Sequence, residues 1–214
     1  MARIGVLALQ GGYGPHLGML RELGHDAIEV RSADELGGVE GLILPGGEST
    51  SQLRLIDRQN LSEALHHFVH RGHSVLATCA GLILAARRVV GPEQPSMGWL
   101  DLSVERNAWG RQLDSFEAVS DPPRFRALGS PLPLVFIRAP RILEVGAAAQ
   151  VLLTYRDEPI LVRQGNVWGA TFHPELSGDS ALHRAIFGPA PRTVIARKAI
   201  PYWMKALPAV RGLV

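Results

Sequence analysis

The segment HSVLATCAGLILAA, from His73 to Ala86, decides the fold. It begins as a short apolar strand, turns at the residues TCAG and continues as a predicted helix over LILAARRVV. Cys79, the only cysteine in the chain, stands at that turn. A nucleophile at a sharp strand-to-helix turn needs tiny neighbours, because the two backbones lie close together there, and Ala80 and Gly81 meet this need. The segment therefore predicts a nucleophile elbow.

The sequence on both sides repeats this alternation of strand and helix. RIGVLAL, DAIEV and EGLILPGGES are typical of short strands, and helices are predicted after the first glycine turn, over 50–56 and over 61–69. Such alternation favours a parallel sheet covered by helices. Beyond Asp101 the segments are strand-like with no ten-residue helix between them. We predict a three-layer α/β fold with a mostly parallel central sheet flanked by helices and an additional antiparallel or mixed strand region.

Composition limits the classes of protein that this chain can be. Its 214 residues, 46% of them hydrophobic and 20% charged, predict one globular domain over 1–187. A Pro-containing tail over 188–214 carries five basic residues and no acidic one, so the net charge of +2 belongs to the tail. The body therefore gives no electrostatic case for nucleic-acid binding. No apolar stretch reaches the ~18 residues of a membrane span, and a lone thiol without a signal-like start predicts a cytoplasmic protein.

A second motif, TFHPEL, supplies the partners that a reactive thiol needs. Pro174 holds the preceding His173 extended, so that His173 and Glu175 project to the same side. A carboxylate bonded to one ring nitrogen fixes the tautomer and leaves the other nitrogen to take the thiol proton. Taken alone, Cys79 is equally well explained as a small buried hydrophobe at a strand end. Together with TFHPEL, the elbow predicts a Cys–His–Glu triad of Cys79, His173 and Glu175.

The glycine pair in LPGGES follows the strand that begins at Glu40. Glycines at a strand end free the backbone to aim N–H groups at a developing oxyanion, and one such donor is worth ~3 kcal/mol in a transition state. We expect donors near Gly47 and at Ala80, the first residue after the nucleophile. A Gly-Gly turn alone is usually only a turn, so this prediction depends on the elbow and on TFHPEL.

Together these motifs carry a family resemblance. LPGGEST, TCAGL and FHPEL, in this order and at these separations, resemble the class I, or triad, glutamine amidotransferases, whose fold is flavodoxin-like. The fuller set, with IGVLALQG, VERNAWGRQ and FIRAP, is similar to the glutaminase subunits of pyridoxal 5′-phosphate synthase. The match runs from about Arg3 to about Phe187.

The resemblance implies hydrolysis of L-glutamine to glutamate and ammonia, with ammonia passed to a synthase subunit in a large hetero-oligomer. It implies Cys79 as nucleophile, His173 as base and Glu175 as its orienting partner, with no metal and no cofactor held by this chain. The glutamine-binding positions of the family fall on Gly46, Gly47, Glu48, Ser49, Arg106, Ile137 and Arg138. Which arginine grips the carboxylate of glutamine stays open.

Departures from the family pattern are also present. Ala77 replaces the usual glycine two residues before the nucleophile, which tightens the elbow. Gln10 and His16 lie in an altered turn after the first strand, on an edge that the resemblance turns towards the synthase, so we expect both to contact the partner. The tail beyond Phe187 lacks the helical ending of the family.

Alternative interpretations remain at this point. The histidines of HHFVHRGH, His66, His70 and His73, have the spacing of metal ligands, but no carboxylate or cysteine completes a site, and a solvated helix face is the simpler interpretation. The chain could also be the glutaminase of another pair, such as imidazole glycerol phosphate synthase, which VERN and FIRAP disfavour. A non-catalytic binding protein that keeps the fold is the third possibility, and the intact triad disfavours it.

Overall fold

The computed structural model describes residues 1–106, 108 and 115–188. The strands are β1 (Arg3–Leu7), β2 (Asp26–Val30), β3 (Gly41–Leu44), β4 (Ser74–Thr78), β5 (Ala86–Val90), β6 (Leu100–Glu105), β7 (Phe116–Val119), β8 (Pro133–Phe136), β9 (Arg141–Val145), β10 (Gln150–Tyr155), β11 (Glu158–Gln164) and β12 (Val167–Ala170). The helices are α1 (Tyr13–Glu22), α2 (Ala33–Gly37), α3 (Ser49–Arg58), α4 (Ser62–His70), α5 (Ala80–Ala85) and α6 (Ala181–Phe187). Short 3-10 turns cover Arg126–Leu128 and Pro174–Leu176.

A seven-stranded sheet forms the centre of the molecule, in the order β10-β11-β12-β4-β3-β1-β2. The five strands from β12 to β2 are parallel, and β10, β11 and β12 pair antiparallel with one another at one edge. A three-stranded sheet, β5-β6-β9, and a two-stranded sheet, β7-β8, supply the additional strands. The predicted fold, a mostly parallel sheet with an antiparallel or mixed region, is therefore confirmed.

Helices cover both faces of the central sheet because its middle strands are apolar on both sides. In β3 every residue is buried, with Leu42 and Leu44 in one core cluster and Ile43 in the other. The first cluster includes apolar residues from α2, α3, α4 and α5, and the second includes those of α1 and α6. These two cores make the three layers that the sequence predicts.

One predicted helix is shorter than expected. The run LILAARRVV was predicted to be helical throughout, but α5 ends at Ala85 and the chain continues as β5. Val89 and Val90 of β5 pair in parallel with Val104 and Glu105 of β6. Pairing with β6 thus overrides the local helix propensity of this run. The sequence of the run alone could not reveal that pairing, because β6 lies outside it.

Parts of the prediction fall beyond what the structure describes. Residues 189–214 of the predicted tail, Asn107 and 109–112 of the VERNAWGRQ motif, and the next two residues, 113 and 114, lie outside the described residues. The division into a domain over 1–187 and a tail over 188–214 stays a prediction. Within the described part of the chain, no helix is both long and apolar enough to cross a bilayer.

Candidate active site

Cys79 occupies the sharp turn between β4 and α5. Its φ of 47° and ψ of −103° are rare for a residue with a side chain, and its backbone N–H donates to the carbonyl of Ala170 at 2.9 Å. A Cβ at position 81 would collide with the carbonyl oxygen of Leu44, so only glycine permits this approach of α5 to β3. The predicted elbow is present. The pairing of β4 with β3 and β12 stabilises the strained backbone of Cys79.

Ala77 is accommodated where the family resemblance expects glycine. It is fully buried in β4 and lies in register with Leu44 of β3 and Gly169 of β12. The neighbouring Gly169 has no side chain because Leu82 and Leu100 fill the space that its Cβ would occupy, so the methyl group of Ala77 lies in a tightly packed part of the core.

His173 and Glu175 reach the elbow from the neighbouring strand. β12 pairs with β4 in parallel, with Ala170 opposite Thr78, so the segments that follow both strands leave the same edge of the sheet. Nδ1 of His173 lies 2.7 Å from Oε1 of Glu175, and the side chain of Cys79 acts on the same ring closely enough to raise its pKa. The structure thus places an imidazole between the sulfur and a carboxylate.

The electrostatics of this group favour a charged imidazole. Burial opposes the charge on His173, but hydrogen bonds to Cys79 and Glu175 outweigh it and raise its pKa to about 10. Burial likewise opposes the charge on Glu175, yet His16 and His173 hold the pKa of this carboxyl below its usual range. At neutral pH the site therefore holds an imidazolium and a carboxylate beside the sulfur.

The glycine loop after β3 packs directly against the imidazole. A Cβ at Gly46 would overlap the His173 ring, so the loop comes this close only without a side chain. Gln52 donates through Nε2 to the carbonyl oxygens of Pro45, at 3.1 Å, and Gln10, at 3.0 Å. Oε1 of Gln10 accepts from the backbone N–H of Glu48 at 2.9 Å. Two glutamine side chains thus fix the loop that carries the expected oxyanion donor.

The predicted catalytic and glutamine-binding residues line one cavity of about 380 Å³. They are Gly46, Gly47, Glu48, Ser49, Cys79, Arg106, Ile137, Arg138, His173 and Glu175. Ala80, the other expected oxyanion donor, is buried behind Cys79 as the first residue of α5, where its N–H is free of the helical ladder. The structure brings all these residues together, whereas their roles stay predictions.

Charged groups line part of this cavity. The carboxylate of Glu48 caps α3 by accepting from the N–H groups of Thr50, at 3.3 Å, and Ser51, at 2.6 Å. Its Oε1 also lies 3.0 Å from Nη2 of Arg106, which is largely buried. Arg138 lies at a positive φ of 45° directly after Ile137, whose carbonyl oxygen is 3.8 Å from Sγ of Cys79. An acceptor and two guanidinium groups therefore line the same cavity as the sulfur, which suits the α-ammonium and α-carboxylate of an amino acid.

The structure contradicts one of the two partner contacts expected for the turn after β1, that of His16. His16 was expected to contact a partner, but it is completely buried on the inner side of α1, with Nε2 3.3 Å from Oε2 of Glu175. That expectation is wrong for His16, because the fold of α1 rather than the turn decides where the ring points. Gln10 is half-buried and holds the glycine loop, as described above.

Sequence reasoning missed two buried polar residues close to the site. His183 of α6 is fully buried and its Nε2 lies 2.9 Å from Nδ1 of His16. Gln52 lies on the buried face of α3 and is 1% exposed. A polar residue at a position that the helical pattern predicts to be buried could have pointed to each of them. For Gln52 that position is the one four residues after Glu48, one turn along the predicted helix.

A second cavity, of about 420 Å³, lies between α2 and α4. Its described lining includes Glu63, His67 and His73 but no cysteine, serine or threonine. Nearby, Nδ1 of His66 accepts from the indole N–H of Trp99 at 3.0 Å, and His73 stacks on Phe68. His66 and His73 are thus engaged in packing contacts, and the described lining of this cavity lacks the nucleophile that the first one has.

An elbow cysteine, a carboxylate-bound histidine on the next strand and a sheet of this topology define the class I glutamine amidotransferases. Comparison with known proteins agrees: residues 6–187 match the SNO glutamine amidotransferase family. The chain belongs to that family.

Individual relatives cover nearly all of the described chain. Pyridoxal 5′-phosphate synthase subunit PdxT of Shouchella clausii is 48% identical over 86% of this chain and 92% of its own. The protein of the same name from Thermotoga sp. strain RQ2 is 45% identical over 85% of this chain and 96% of its own. A crystal structure of a glutamine amidotransferase, 43% identical, superposes with a TM-score of 0.80 over 86% of this chain and 96% of that one. PurLQS from Thermotoga maritima, 20% identical with a TM-score of 0.65, shares the fold.

Proposed function

We propose that this chain is the glutaminase subunit of a pyridoxal 5′-phosphate synthase. It hydrolyses L-glutamine to L-glutamate and ammonia and delivers the ammonia to a synthase subunit in a large hetero-oligomer. The observation that carries the proposal is the buried group of Cys79, His173 and Glu175, which lines the same cavity as Glu48, Arg106 and Arg138. The names of the relatives support the choice of partner.

The first chemical step is attack by the Cys79 sulfur on the side-chain amide carbon of glutamine. The negative charge on the amide oxygen is held by backbone donors at Gly47 and Ala80. His173, protonated and steadied by Glu175, gives its proton to the departing ammonia. A γ-glutamyl thioester on Cys79 remains, and its formation has broken the C–N bond.

The second step releases the product. His173, now neutral, takes a proton from water, the water oxygen attacks the thioester carbon, and the C–S bond breaks to give glutamate and the free thiolate. The carboxylate of Glu48 suits the α-ammonium group of the substrate, and the guanidinium groups of Arg106 and Arg138 suit its α-carboxylate. Because the chemistry depends on a free thiol, a reducing cytoplasmic setting is part of the proposal.

The proposal is tested by ammonia release from L-glutamine. Wild type and Cys79→Ala are each assayed alone, with a pyridoxal 5′-phosphate synthase subunit and, as a control partner, with the cyclase subunit of imidazole glycerol phosphate synthase. We expect activity that rises with the first partner only and is lost in Cys79→Ala. Activation by the second partner would assign the chain to another pathway, and no release under any condition would make it a binding protein.

A further inference from the structure

A buried polar chain continues behind the triad, on the side of Glu175 away from His173. Oε1 of Glu175 is bound by His173, while Oε2 accepts no formed hydrogen bond from the described residues. Nε2 of His16 lies 3.3 Å from this second oxygen. Nδ1 of the same His16 ring lies 2.9 Å from Nε2 of His183. Glu175, His16 and His183 are all essentially inaccessible to solvent, so water cannot replace any of these contacts.

The placement of hydrogens in this chain follows from the charge of its first member. Glu175 is an ionised carboxylate, so a bare nitrogen lone pair facing it at 3.3 Å would be repelled, whereas an N–H is attracted. Nε2 of His16 therefore carries hydrogen, which it can share with Thr78 Oγ1 at 3.4 Å. Its Nδ1 must then accept, so Nε2 of His183 donates. Nδ1 of His183 is then a buried acceptor without a partner among the described residues, and Oε2 of Glu175 has the contact with His16 but no formed hydrogen bond.

We propose that His16 and His183 are positioning residues for the triad: His183 fixes the tautomer of His16, and His16 presents an N–H to Oε2 of Glu175. The carboxylate is thus contacted at both oxygens: Oε1 is hydrogen-bonded by His173, and Oε2 faces the N–H of His16 across 3.3 Å. Its orientation towards His173, and with it the stability of the imidazolium beside Cys79, depends on two rings that never touch substrate. This inference rests on the proposed glutaminase function.

The groups around His16 come from three elements and limit what else can act on it. Glu175 faces it from the 3-10 turn after β12, His183 from α6 and Thr78 from β4, and the charge of His173 lies beyond Glu175. Burial, opposed by Glu175 and assisted by His173, lowers the pKa of His16. Burial and His16 lower the pKa of His183 to about 3. Both rings are therefore neutral at working pH, as a chain of N–H donors requires.

The first test reads the thiol directly. Because Cys79 is the only cysteine, the rate of alkylation by iodoacetamide as a function of pH reports this sulfur alone. In His16→Leu the imidazolium loses support, so we expect the midpoint of the alkylation profile to move upward by about half a pH unit or more. His16→Gln, whose amide can again offer N–H to Glu175, should recover most of the wild-type midpoint.

The second ring gives a matched set of variants. His183→Leu should move the midpoint in the same direction but less, and His183→Gln should restore it. The double variant His16→Leu/His183→Leu should be no worse than His16→Leu alone, because both rings act through Glu175. His25→Leu is the control: His25 is a buried histidine whose Nε2 lies 2.9 Å from the carbonyl of Gly188, and it does not line the cavity.

Kinetics and spectroscopy separate positioning from mere structural support. With the synthase present, His16→Leu should lower kcat about tenfold and leave KM for glutamine within about twofold, as is usual when an outer partner of a working group is removed. In the wild type, the ¹⁵N chemical shifts of the imidazole nitrogens should show that the rings of His16 and His183 are both neutral and carry their hydrogen on Nε2. This measurement needs no variant and survives any failure of a variant to fold.

The outcomes are distinct. A lower melting temperature with an unchanged alkylation midpoint in His16→Leu would overturn the positioning role of His16 and His183. Hydrogen on Nδ1 of His16 in the wild type would overturn it as well. A wild type that releases no ammonia with any partner would overturn the proposed function. The alkylation and NMR results would still show whether His16 and His183 position Glu175.

Discussion

At the scale of single residues, the site consists of ionisable side chains, His173 and Glu175, that are largely buried. His173 is charged at neutral pH only because its contacts with Cys79 and Glu175 outweigh its burial. The sequence was sufficient to predict that Cys79, His173 and Glu175 come together, since an elbow cysteine combined with a His-Pro-Glu motif is typical of a thiol nucleophile and its base; their catalytic roles stay predictions. It was not sufficient for His16 and His183, because two histidines far apart in sequence meet only when α1 and α6 pack on the same face of the sheet.

Glu175→Gln tests how the charge on His173 is maintained. The carboxylate raises the pKa of His173, so its loss moves that pKa from about 10 towards its ordinary value of 6.5. The imidazolium that protonates the leaving ammonia then disappears at lower pH. We expect kcat to fall by about 10²- to 10⁴-fold, and the alkaline limb of the pH–rate profile to move to lower pH. The measurement is ammonia release from pH 6 to 10 with the synthase present.

Glu40→Gln is the control for this substitution. Glu40 is exposed and accepts from the backbone N–H of Arg3 at 3.0 Å, away from the cavity. Its loss should leave both kcat and the alkaline limb as they are in the wild type. An unchanged alkaline limb in Glu175→Gln would refute the role given to this carboxylate.

At the scale of elements, close approach of backbones positions the nucleophile. Local patterns predicted β1 to β4 and the elbow, because apolar runs ending at glycines or at the single cysteine mark the carboxyl ends of parallel strands. They could not predict that α5 ends at Ala85, since the pairing of β5 with β6 depends on residues beyond 100. Nor did they show how α5 touches β3, which becomes visible only at Gly81.

Gly81→Ala is expected to damage this contact between elements. The added methyl group would press on the carbonyl oxygen of Leu44, and backbone cannot rotate away as a side chain can. Forced overpacking of this kind typically costs 1–3 kcal/mol, so we expect the free energy of unfolding to fall by at least about 2 kcal/mol. Urea denaturation measures the change.

The matched control is Gly18→Ala in the middle of α1. Gly18 is exposed, and a Cβ there would meet nothing within 4 Å. Replacing an unconstrained helical glycine should therefore raise the free energy of unfolding by about 0.5–1 kcal/mol. If both alanine variants changed stability alike, the close approach at Gly81 would not be what restricts that position.

At the scale of the whole molecule, the two cores bury ionisable groups as well as apolar ones. His183 is sealed between α6 and the sheet, and its pKa is lowered to about 3 by burial and by His16. In the unfolded chain the same ring takes up a proton near pH 6.5. The unfolded state therefore binds more protons between these two values, and stability must fall as the pH falls through that window.

This linkage predicts a specific acid weakness. Between pH 6.5 and 4.5, His183 alone should remove about 2–3 kcal/mol from the free energy of unfolding. His183→Gln, which cannot titrate, should show a correspondingly shallower loss when urea denaturation is followed over this range. His70→Gln, at an exposed position on α4, should keep the wild-type slope. Equal slopes in wild type and His183→Gln would mean that the buried ring does not stay neutral.

The pairing of β4 with β12 has a consequence for how the molecule acquires activity during synthesis. The sulfur and its base follow two adjacent strands but are far apart along the chain, so no segment that folds by local contacts alone contains both. Long-range strand pairing is slow, because loop closure precedes any reward from the new contacts. Recovery of catalysis after dilution from denaturant should then lag behind the return of helical circular dichroism, so that recovered turnover reports when β4 and β12 have paired.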